Sequence, residues 1–474
     1  MNIPQSLRSL FVGIGEHREA LGFSCFLAWV VCIFYTNVVE GFLPLVLLRD
    51  EISVANGFWL RLFLIGLPVF CSVLALSAAV AFSARLANII SKKSVIWAAA
   101  ILTTLSTLLL FAPSLSVSFS FSCFVLGSLL TGAGSGLLWV IWGAYYTRLP
   151  QEQVEQIAPV CVAISAIVPL LMTEMHSWLA ITFVAALPLV SLVLLNLKDN
   201  RSSEIRSPKE DFPELARMGF GIFVACLFVS LATSLGGELP NVLESKGDFV
   251  PTIVFCIAFL LVISLFSTIG PRRISISSLY RWMCPALVIA FAALVAFDPD
   301  TAVRIRTALS LGVRLCFILI TVMYFSSQAK QNSNPIVIFA FGWICVHLGD
   351  FFGVLIWLLS EVGIEAGYLS VPIVAVLSIC ILVVVTMFVL NEPPQKTIPL
   401  DATADADNIR VLEIAEKYNL TKREIEVLEL LAKGRSIPYI RDALFISKET
   451  AATHARHIYH KLGVHNKQEL LDLF

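Results

Sequence analysis

The residues best suited to chemistry lie on one short segment near the C-terminus, between Ser447 and Leu462. Ser447 is a good helix N-cap, and apolar residues at helical spacing (Ala451, Ala455, Ile458, Leu462) predict a buried face on the helix that follows. The opposite face is mostly polar and basic and carries Lys448, Ala452, Thr453, Arg456, His457 and His460. Such a face fits the major groove of DNA, where arginine can pair with guanine through two hydrogen bonds.

A zinc site is the alternative chemistry for this segment, because four histidines lie within the last 21 residues: His454, His457, His460 and His465. Structural zinc sites usually combine cysteine with histidine in paired spacings, and this segment has no cysteine. We therefore predict no metal site and no bound cofactor. We also predict that the chain is not an enzyme, since no nucleophile with a base and no metal-ligand cluster stands out.

A second group of candidate residues lies inside apolar segments. Arg314 falls near the centre of one such segment, and His347 and Asp350 fall near the centre of the next. Ionisable residues are costly inside a bilayer and are functional candidates by default. Two interpretations stay open: a buried ion pair that holds the C-terminal half together, or groups that face a central cavity and bind a ligand. In the second interpretation, His347 is the group whose state changes most easily with pH or with a ligand hydroxyl. Tyr35 and Trp139 then help to line an apolar pocket.

Turn signals divide the C-terminal segment into helices that would position the polar face. Thr421 and Glu424 have the spacing of a capping box at the start of the first helix. Gly434 and Gly463 are placed to end the first and third helices. The predicted helices are 421–434, 437–444, 447–462 and a fourth that begins at Asn466.

These helices carry a specific pattern. Residues 420–434 read Leu-Thr-x-Arg-Glu-x-Glu-Val-Leu-x-Leu-Leu-Ala-x-Gly, residues 446–450 read Ile-Ser-x-x-Thr, and Thr453-His454 and Lys461-Leu462-Gly463-Val464 follow. The segment resembles the LuxR-type DNA-binding domain over about an eighth of the chain. That resemblance implies a helix-turn-helix fold and promoter DNA as a partner.

The resemblance also implies roles at particular positions. In that family the helix after Ile-Ser enters the major groove, and the positions held here by Ala452, Thr453 and Arg456 face bases. The family often has lysine at the first of these, so Ala452 is a departure that leaves Arg456 as the chief candidate for reading guanine. Phosphate contacts are predicted from Lys448, Thr450, His457 and Lys461.

The predicted DNA-binding segment is only mildly basic. Residues 417–474 contain ten Lys or Arg and seven Asp or Glu, a net charge of +3. One copy should therefore bind DNA weakly, and two copies on a repeated half-site should bind better. Because the family often pairs through its last helix, we predict self-association of this domain on DNA.

The rest of the chain has the composition of a membrane protein. Hydrophobic residues make up 58% of the sequence and charged residues 14%, against about a quarter charged in soluble proteins. Apolar runs long enough to span about 30 Å of hydrocarbon recur. They predict an all-α polytopic protein with about twelve transmembrane helices, at 20–47, 55–82, 94–112, 117–146, 155–175, 177–197, 217–236, 249–269, 282–298, 305–326, 335–359 and 367–390.

Charged loops predict the orientation of these helices. Basic and acidic loops alternate, as in Asp50 and Glu51 before the second span and Arg85, Lys92 and Lys93 after it. Lys and Arg accumulate on the cytoplasmic side of membrane proteins. Both termini are therefore predicted to lie in the cytoplasm, with the chain in the bacterial cytoplasmic membrane.

The polar segment from Lys198 to Arg217 divides the predicted spans into six and six. Two six-helix halves joined in this way resemble the major facilitator superfamily, which places its site between the halves near the midplane. Transporters of that superfamily carry Gly-x-Leu-x-Asp-Arg-x-Gly-Arg-Arg after the second span. Residues 84–93 keep the Leu and the final basic pair, and they lack both Gly positions, the Asp and the Arg after it. In that family the motif belongs to alternating access, so its loss argues against transport.

One glycine-rich segment, Thr131 to Gly136, lies inside the fourth predicted span. Small residues allow helices to approach closely in lipid. We predict tight helix contact there and not a phosphate-binding loop, because no strand precedes the segment and no lysine follows it.

These features predict six regions: an amphipathic cytoplasmic N-terminus (1–19), two membrane halves (20–197 and 217–390) around a cytoplasmic loop (198–216), an acidic linker with a lead-in helix (391–416) and the DNA-binding domain (417–474). The architecture resembles bacterial membrane-bound regulators. It implies a one-component transcription factor in which the membrane part binds an unknown small molecule. The alternatives are a transporter with a regulatory DNA-binding tail and a membrane anchor that binds no ligand and is regulated by protein partners.

Overall fold

A computed structural model describes the chain in two compact units, Met1–Asn391 and Glu392–Phe474. The described residues are 18–35, 54–90, 92–111, 117–172, 175, 177–195, 212–235, 254, 257, 276–332, 334–390, 414, 418, 420–432, 437–444, 448–464 and 469–470. All regular structure in these residues is helical. The division falls at the start of the predicted acidic linker.

The first unit begins with the helices of the first predicted half. They are α1 (Arg18–Val30), which continues into a π-helical turn at Val31–Tyr35, α2 (Val54–Ala81), α3 (Ser83–Ile89), α4 (Lys93–Leu110), α5 (Val117–Tyr146), α6 (Gln151–Met172) and α7 (Ser177–Leu194). The short α3 holds part of the loop motif after the second span and buries none of its residues. The other six correspond to the six predicted spans of this half, and residues 36–47 of the first predicted span lie outside the described residues.

Five helices of the second half are described. They are α8 (Phe212–Ser234), α9 (Ile276–Ala296), α10 (Pro299–Asn332), α11 (Pro335–Glu365) and α12 (Val371–Leu390). The span predicted at 249–269 lies outside the described residues except for Val254 and Ile257, which are helical. Helix α11 packs on α2 and α5 of the first half as well as on α8 and α10, so it joins the two halves.

The apolar character of these helices fits a bilayer. Among the described residues, five helices are long and apolar enough to cross a membrane, and six shorter helices are apolar. Large apolar side chains on α12 stay about half exposed, among them Ile373, Leu377, Ile381 and Val384. Apolar surface of this kind is suited to contact with lipid.

Polar caps mark the starts of α10 and α11, and of these two only α10 begins before its predicted apolar run. Helix α10 begins at Pro299, where the Asp298 carboxylate accepts a hydrogen bond from the backbone N–H of Thr301 at 3.0 Å. Helix α11 begins at Pro335 after the N-cap Asn334, whose Oδ1 accepts from the N–H of Ile336 at 3.1 Å. Proline favours the first helical turn since it needs no intrahelical donor there.

The predicted close contact at the glycine-rich segment is confirmed. A Cβ added at Gly132 would lie 2.8 Å from Cys71 Cβ on α2, and one at Gly134 would lie 2.8 Å from the backbone nitrogen of Thr103 on α4. Real Cβ atoms essentially never approach so closely. Only glycine therefore lets α5 pack at this distance from both neighbours.

The second unit contains α13 (Lys422–Ala432), α14 (Ile437–Leu444) and α15 (Lys448–Leu462). Its core is formed by Val427, Leu428, Leu431, Ile440, Ala451, Ala455, Ile458, Leu462 and Leu470. The predicted buried face of the third helix is thus confirmed. Gly463 ends α15 with φ 70°, a conformation that favours glycine. The predicted fourth helix is described only at Glu469 and Leu470, and the lead-in helix only at Ile414 and Tyr418.

Candidate functional site

The start of α13 is fastened to the end of α15 through one carboxylate. The Glu424 Oε2 atom accepts from the Thr421 backbone N–H at 2.8 Å and from the Thr421 hydroxyl at 2.9 Å. The N–H of Glu424 in turn donates to Thr421 Oγ1 at 3.3 Å, which confirms the predicted capping box. The same Oε2 accepts from Lys461 Nζ at 2.7 Å. Lys461, predicted to contact phosphate, therefore also holds the domain together.

The Glu424 carboxylate is held in its charged form. Burial raises its pKa, but the hydrogen bonds from Lys461 and from Thr421 outweigh burial and lower the pKa from 4.5 to about 2. A group whose pKa is lowered by folding stabilises the protein above its unfolded pKa. That contribution is lost as the pH falls from 4.5 through about 2.

We therefore expect Glu424→Gln to destabilise the C-terminal unit at neutral pH by about 2 kcal/mol, typical of hydrogen bonds to a charged group. Thermal unfolding between pH 7 and pH 2 should show a shallower loss of stability in the variant than in the parent. Glu426→Gln is the matched control, since Glu426 lies on the same helix, is exposed and pairs with Arg423 on the surface. An equal effect of the two substitutions would contradict the role of Glu424.

The predicted DNA-reading face is exposed on α15. Thr453, Arg456 and His457 are exposed, and Ala452 is half-buried. The Thr453 hydroxyl donates to the Glu449 carbonyl of its own helix at 2.8 Å. Thr450 is exposed in the first turn, and Lys448 begins the helix. The predicted base-reading and phosphate-binding residues thus share one helix, while their contacts to DNA stay predictions.

A separate contact, made by Arg423, holds α14 in the helix-turn-helix. The Arg423 guanidinium on α13 donates to the Leu444 carbonyl at the C-terminal end of α14 at 3.0 Å. It also pairs with Glu426 one turn along its own helix. Cations at helix C-termini satisfy free carbonyls and complement the helix dipole. Arg423 therefore helps to set the position of the short helix that precedes α15.

Inside the membrane unit, the five predicted ligand-site residues come from four helices and lie close together. Arg314 Nη1 on α10 donates to Asp350 Oδ1 on α11 at 2.7 Å. The Arg314 guanidinium carbon lies 4.4 Å from the centre of the Tyr35 ring, in cation–π geometry. All three residues are buried. The ion pair expected from the sequence therefore exists, and it touches α1 of the other half.

His347 and Trp139 belong to an aromatic cluster next to this pair. Trp139 on α5 stacks on Trp343 of α11, with ring centroids 3.4 Å apart. The His347 ring lies 5.8 Å from Phe34 and 6.4 Å from Trp343. Sequence reasoning missed Trp343 and Phe34. Trp343 stands four residues before His347, one helical turn away, and that spacing is the signal that would have found it.

A small cavity lies beside the ion pair. It is lined by Tyr35, Cys226, Val229, Arg314, Phe317, Ile318 and Val346, from α1, α8, α10 and α11. The centre of a water molecule could occupy about 10 Å³ of this cavity. That volume is roughly what one water needs. In this arrangement the cavity cannot hold an organic ligand. Binding such a ligand between the halves would require a different packing of these helices.

The two units are similar to different known proteins. Residues 418–474 match the GerE family, described as bacterial regulatory proteins, luxR family. The oxygen regulatory protein NreC of Staphylococcus aureus strain JH9 is 45% identical over 53 residues, which are 11% of this chain and 24% of NreC. NreC of strain USA300 gives the same values. The chain thus spans about a quarter of the length of these curated relatives.

The membrane unit has a structural neighbour of another kind. The crystal structure of the human organic anion transporter MFSD10 (TETRAN) matches with a TM-score of 0.52 at 15% sequence identity, over 82% of this chain and 100% of that chain. Such a likeness establishes the fold and no more. The chain therefore combines a helical membrane unit with a major-facilitator-like fold and a C-terminal segment, residues 418–474, that matches the LuxR family of regulatory proteins.

Proposed function

We propose that this protein is a membrane-bound one-component transcriptional regulator. It joins a LuxR-type DNA-binding domain to a major-facilitator-like membrane domain. The membrane domain binds a small molecule between its halves, and the C-terminal domain binds promoter DNA. Both termini lie on the cytoplasmic side of the bacterial inner membrane, as the alternation of basic and acidic loops predicts. Two copies of the DNA-binding domain pair on the promoter.

One observation carries the sensing part of this proposal. Arg314, Asp350 and Tyr35 form a buried polar cluster that connects α1 of the first half to α10 and α11 of the second. A ligand that competes for these groups would favour another packing of the halves, because the cavity is too small for it in the described arrangement. A ligand shifts a conformational equilibrium only by its difference in affinity for the two states. Because the ligand does not fit the described arrangement, its affinity for the two packings of the halves would differ greatly.

The test begins with a small-molecule library and the purified full-length protein. Compounds that raise the melting temperature are then added to cells, and promoter occupancy is measured by chromatin immunoprecipitation. We expect them to change occupancy by the full chain and to leave occupancy by Glu392–Phe474 alone unaltered. The proposal fails if stabilising compounds never change occupancy. Accumulation of such a compound in vesicles that contain only residues 1–390 would support the transporter alternative.

A further inference from the structure

Five buried polar atoms on α5 and α11 lack a hydrogen-bond partner within the part of the chain that the structure describes. They are Thr131 Oγ1, Ser135 Oγ, Trp139 Nε1, Trp343 Nε1 and His347 Nε2. Each of these residues is at most 1% exposed. A buried polar group without a partner is costly, so native proteins pair nearly all of them. Five such atoms on two facing helices call for a common explanation.

The five residues that carry these atoms are here called the α5–α11 strip. Thr131, Ser135 and Trp139 follow one another at intervals of four on α5, which places them on one face. Trp139 stacks on Trp343, and one turn further a Cβ added at Gly143 would lie 2.8 Å from Phe339 Cβ. These two contacts set an antiparallel register between the helices. Continued by one turn, the register brings Ser135 level with His347.

Other buried tryptophans in the same unit have partners. The Trp29 indole N–H donates to the Thr107 hydroxyl at 2.8 Å, and the Trp142 indole N–H donates to the Ser191 hydroxyl at 3.1 Å. Both residues are as deeply buried as Trp139 and Trp343. The fold thus supplies acceptors for indole donors elsewhere. The two unpaired donors belong to rings that stack between the halves with centroids 3.4 Å apart.

We infer that the α5–α11 strip binds a neutral, flat small molecule that carries hydrogen-bond acceptors, such as carbonyl or ring oxygens. An indole N–H can only donate, so the ligand must accept. The ligand is neutral because the nearby Arg314 and Asp350 already neutralise each other. It is flat because the strip is walled by aromatic rings, with Phe26 4.7 Å from Trp139 and Phe34 5.8 Å from His347.

This inference rests on the proposed function, since it names the class of ligand for the site between the halves. The stacked rings of Trp139 and Trp343 leave no room between them, so the ligand binds an arrangement in which they separate. The π-helical turn Val31–Tyr35 lies beside the strip, with Phe34 against His347. Turns of this kind are frequent at functional sites.

The test compares three probes by equilibrium dialysis against the full-length protein in lipid nanodiscs, with empty nanodiscs as the background. Coumarin is flat and neutral and only accepts, naphthalene has the same size without an acceptor, and 2-naphthoate adds a negative charge. We expect saturable coumarin binding that is at least about 10-fold tighter than binding of either other probe, because only coumarin satisfies the indole donors without a net charge. Absence of saturable coumarin binding, or equal binding of coumarin and naphthalene, overturns the inference.

Variants locate the effect on the two indoles. The double substitution Trp139→Phe with Trp343→Phe replaces both indoles with phenyl rings and removes both donors, so the preference for coumarin over naphthalene should disappear. Trp142→Phe, which removes a satisfied donor on the same α5, should keep the preference. Without any probe, each substitution in the double variant loses packing alone, whereas Trp142→Phe also loses the hydrogen bond to Ser191, so the melting temperature should fall further per substitution for Trp142→Phe. A coumarin preference that survives the double substitution contradicts the inference.

The same proteins separate this inference from the proposed function. Coumarin that binds as expected but leaves promoter occupancy unchanged would contradict sensing and leave the ligand class intact. Regulation by a library compound in the parent, together with equal binding of the three probes, would contradict the ligand class and leave sensing intact.

Discussion

Arg456→Ala is expected to weaken specific promoter binding by roughly 10- to 100-fold for each copy of the domain, because a bidentate arginine–guanine pair contributes about 1–3 kcal/mol of discrimination. Arg456 is exposed on the face of α15 opposite the buried Ala455 and Ile458. Its removal therefore costs little stability. The half-buried Ala452 offers no polar group that could replace it. Footprinting and binding titrations at several salt concentrations measure the effect.

Two substitutions serve as controls for that result. Arg456→Lys keeps the charge and loses the two-pronged donor geometry, so non-specific, salt-dependent binding should persist while sequence preference falls. Ala452→Lys should strengthen binding and steepen its dependence on salt by about one released counterion. Unchanged footprints with Arg456→Ala would show that another residue reads the bases.

The second large effect is expected at the buried ion pair. Either Arg314→Met or Asp350→Leu leaves one charge buried without its partner, and such a change typically costs about 3–5 kcal/mol. The double variant removes both charges and should regain most of that loss, since an apolar pair of similar volume is often nearly as stable. Unfolding of the three variants in detergent, analysed as a double-mutant cycle, measures the coupling. Additive losses would contradict the pairing.

The double variant also separates the two interpretations of these charges. If the pair only holds α10 against α11, the double variant should respond to stabilising compounds as the parent does. If the pair belongs to the sensing site, the double variant should be folded and unresponsive. Promoter occupancy with and without compound distinguishes the two outcomes.

Local patterns in the sequence predicted local structure well. The Thr421–Glu424 capping box and the buried face through Ala451 and Ala455 depend on residues three or four apart, and both are confirmed. The contact between Lys461 and Glu424 spans 37 residues of chain. No spacing rule connects such residues, because only the packing of α15 on α13 brings them together.

In the membrane unit, charged residues were a better guide to the buried cluster than aromatic residues, of which Tyr35 and Trp139 were predicted and Trp343 was not. Arg314 and Asp350 could be grouped because charges are rare inside apolar helices. Trp343 could not be singled out, since a tryptophan in such a helix is equally suited to packing or to the membrane interface. The start of α10 was missed because its cap, Asp298, lies outside the apolar run, whereas α11 begins at residue 335 as predicted. The span at 249–269 and the base contacts stay predictions.

The three hydrogen bonds that meet at Glu424 Oε2 have a consequence for regulation. Two of them cap the start of α13, and the third, from Lys461, connects α13 to the last turn of α15, so a rotation or shift of α15 would break that bond. If the membrane domain signals as proposed, we expect the signal to change how often a domain reaches the promoter and not the bases that the domain prefers. The operator motif should be identical in the presence and absence of inducer, and only its occupancy should differ.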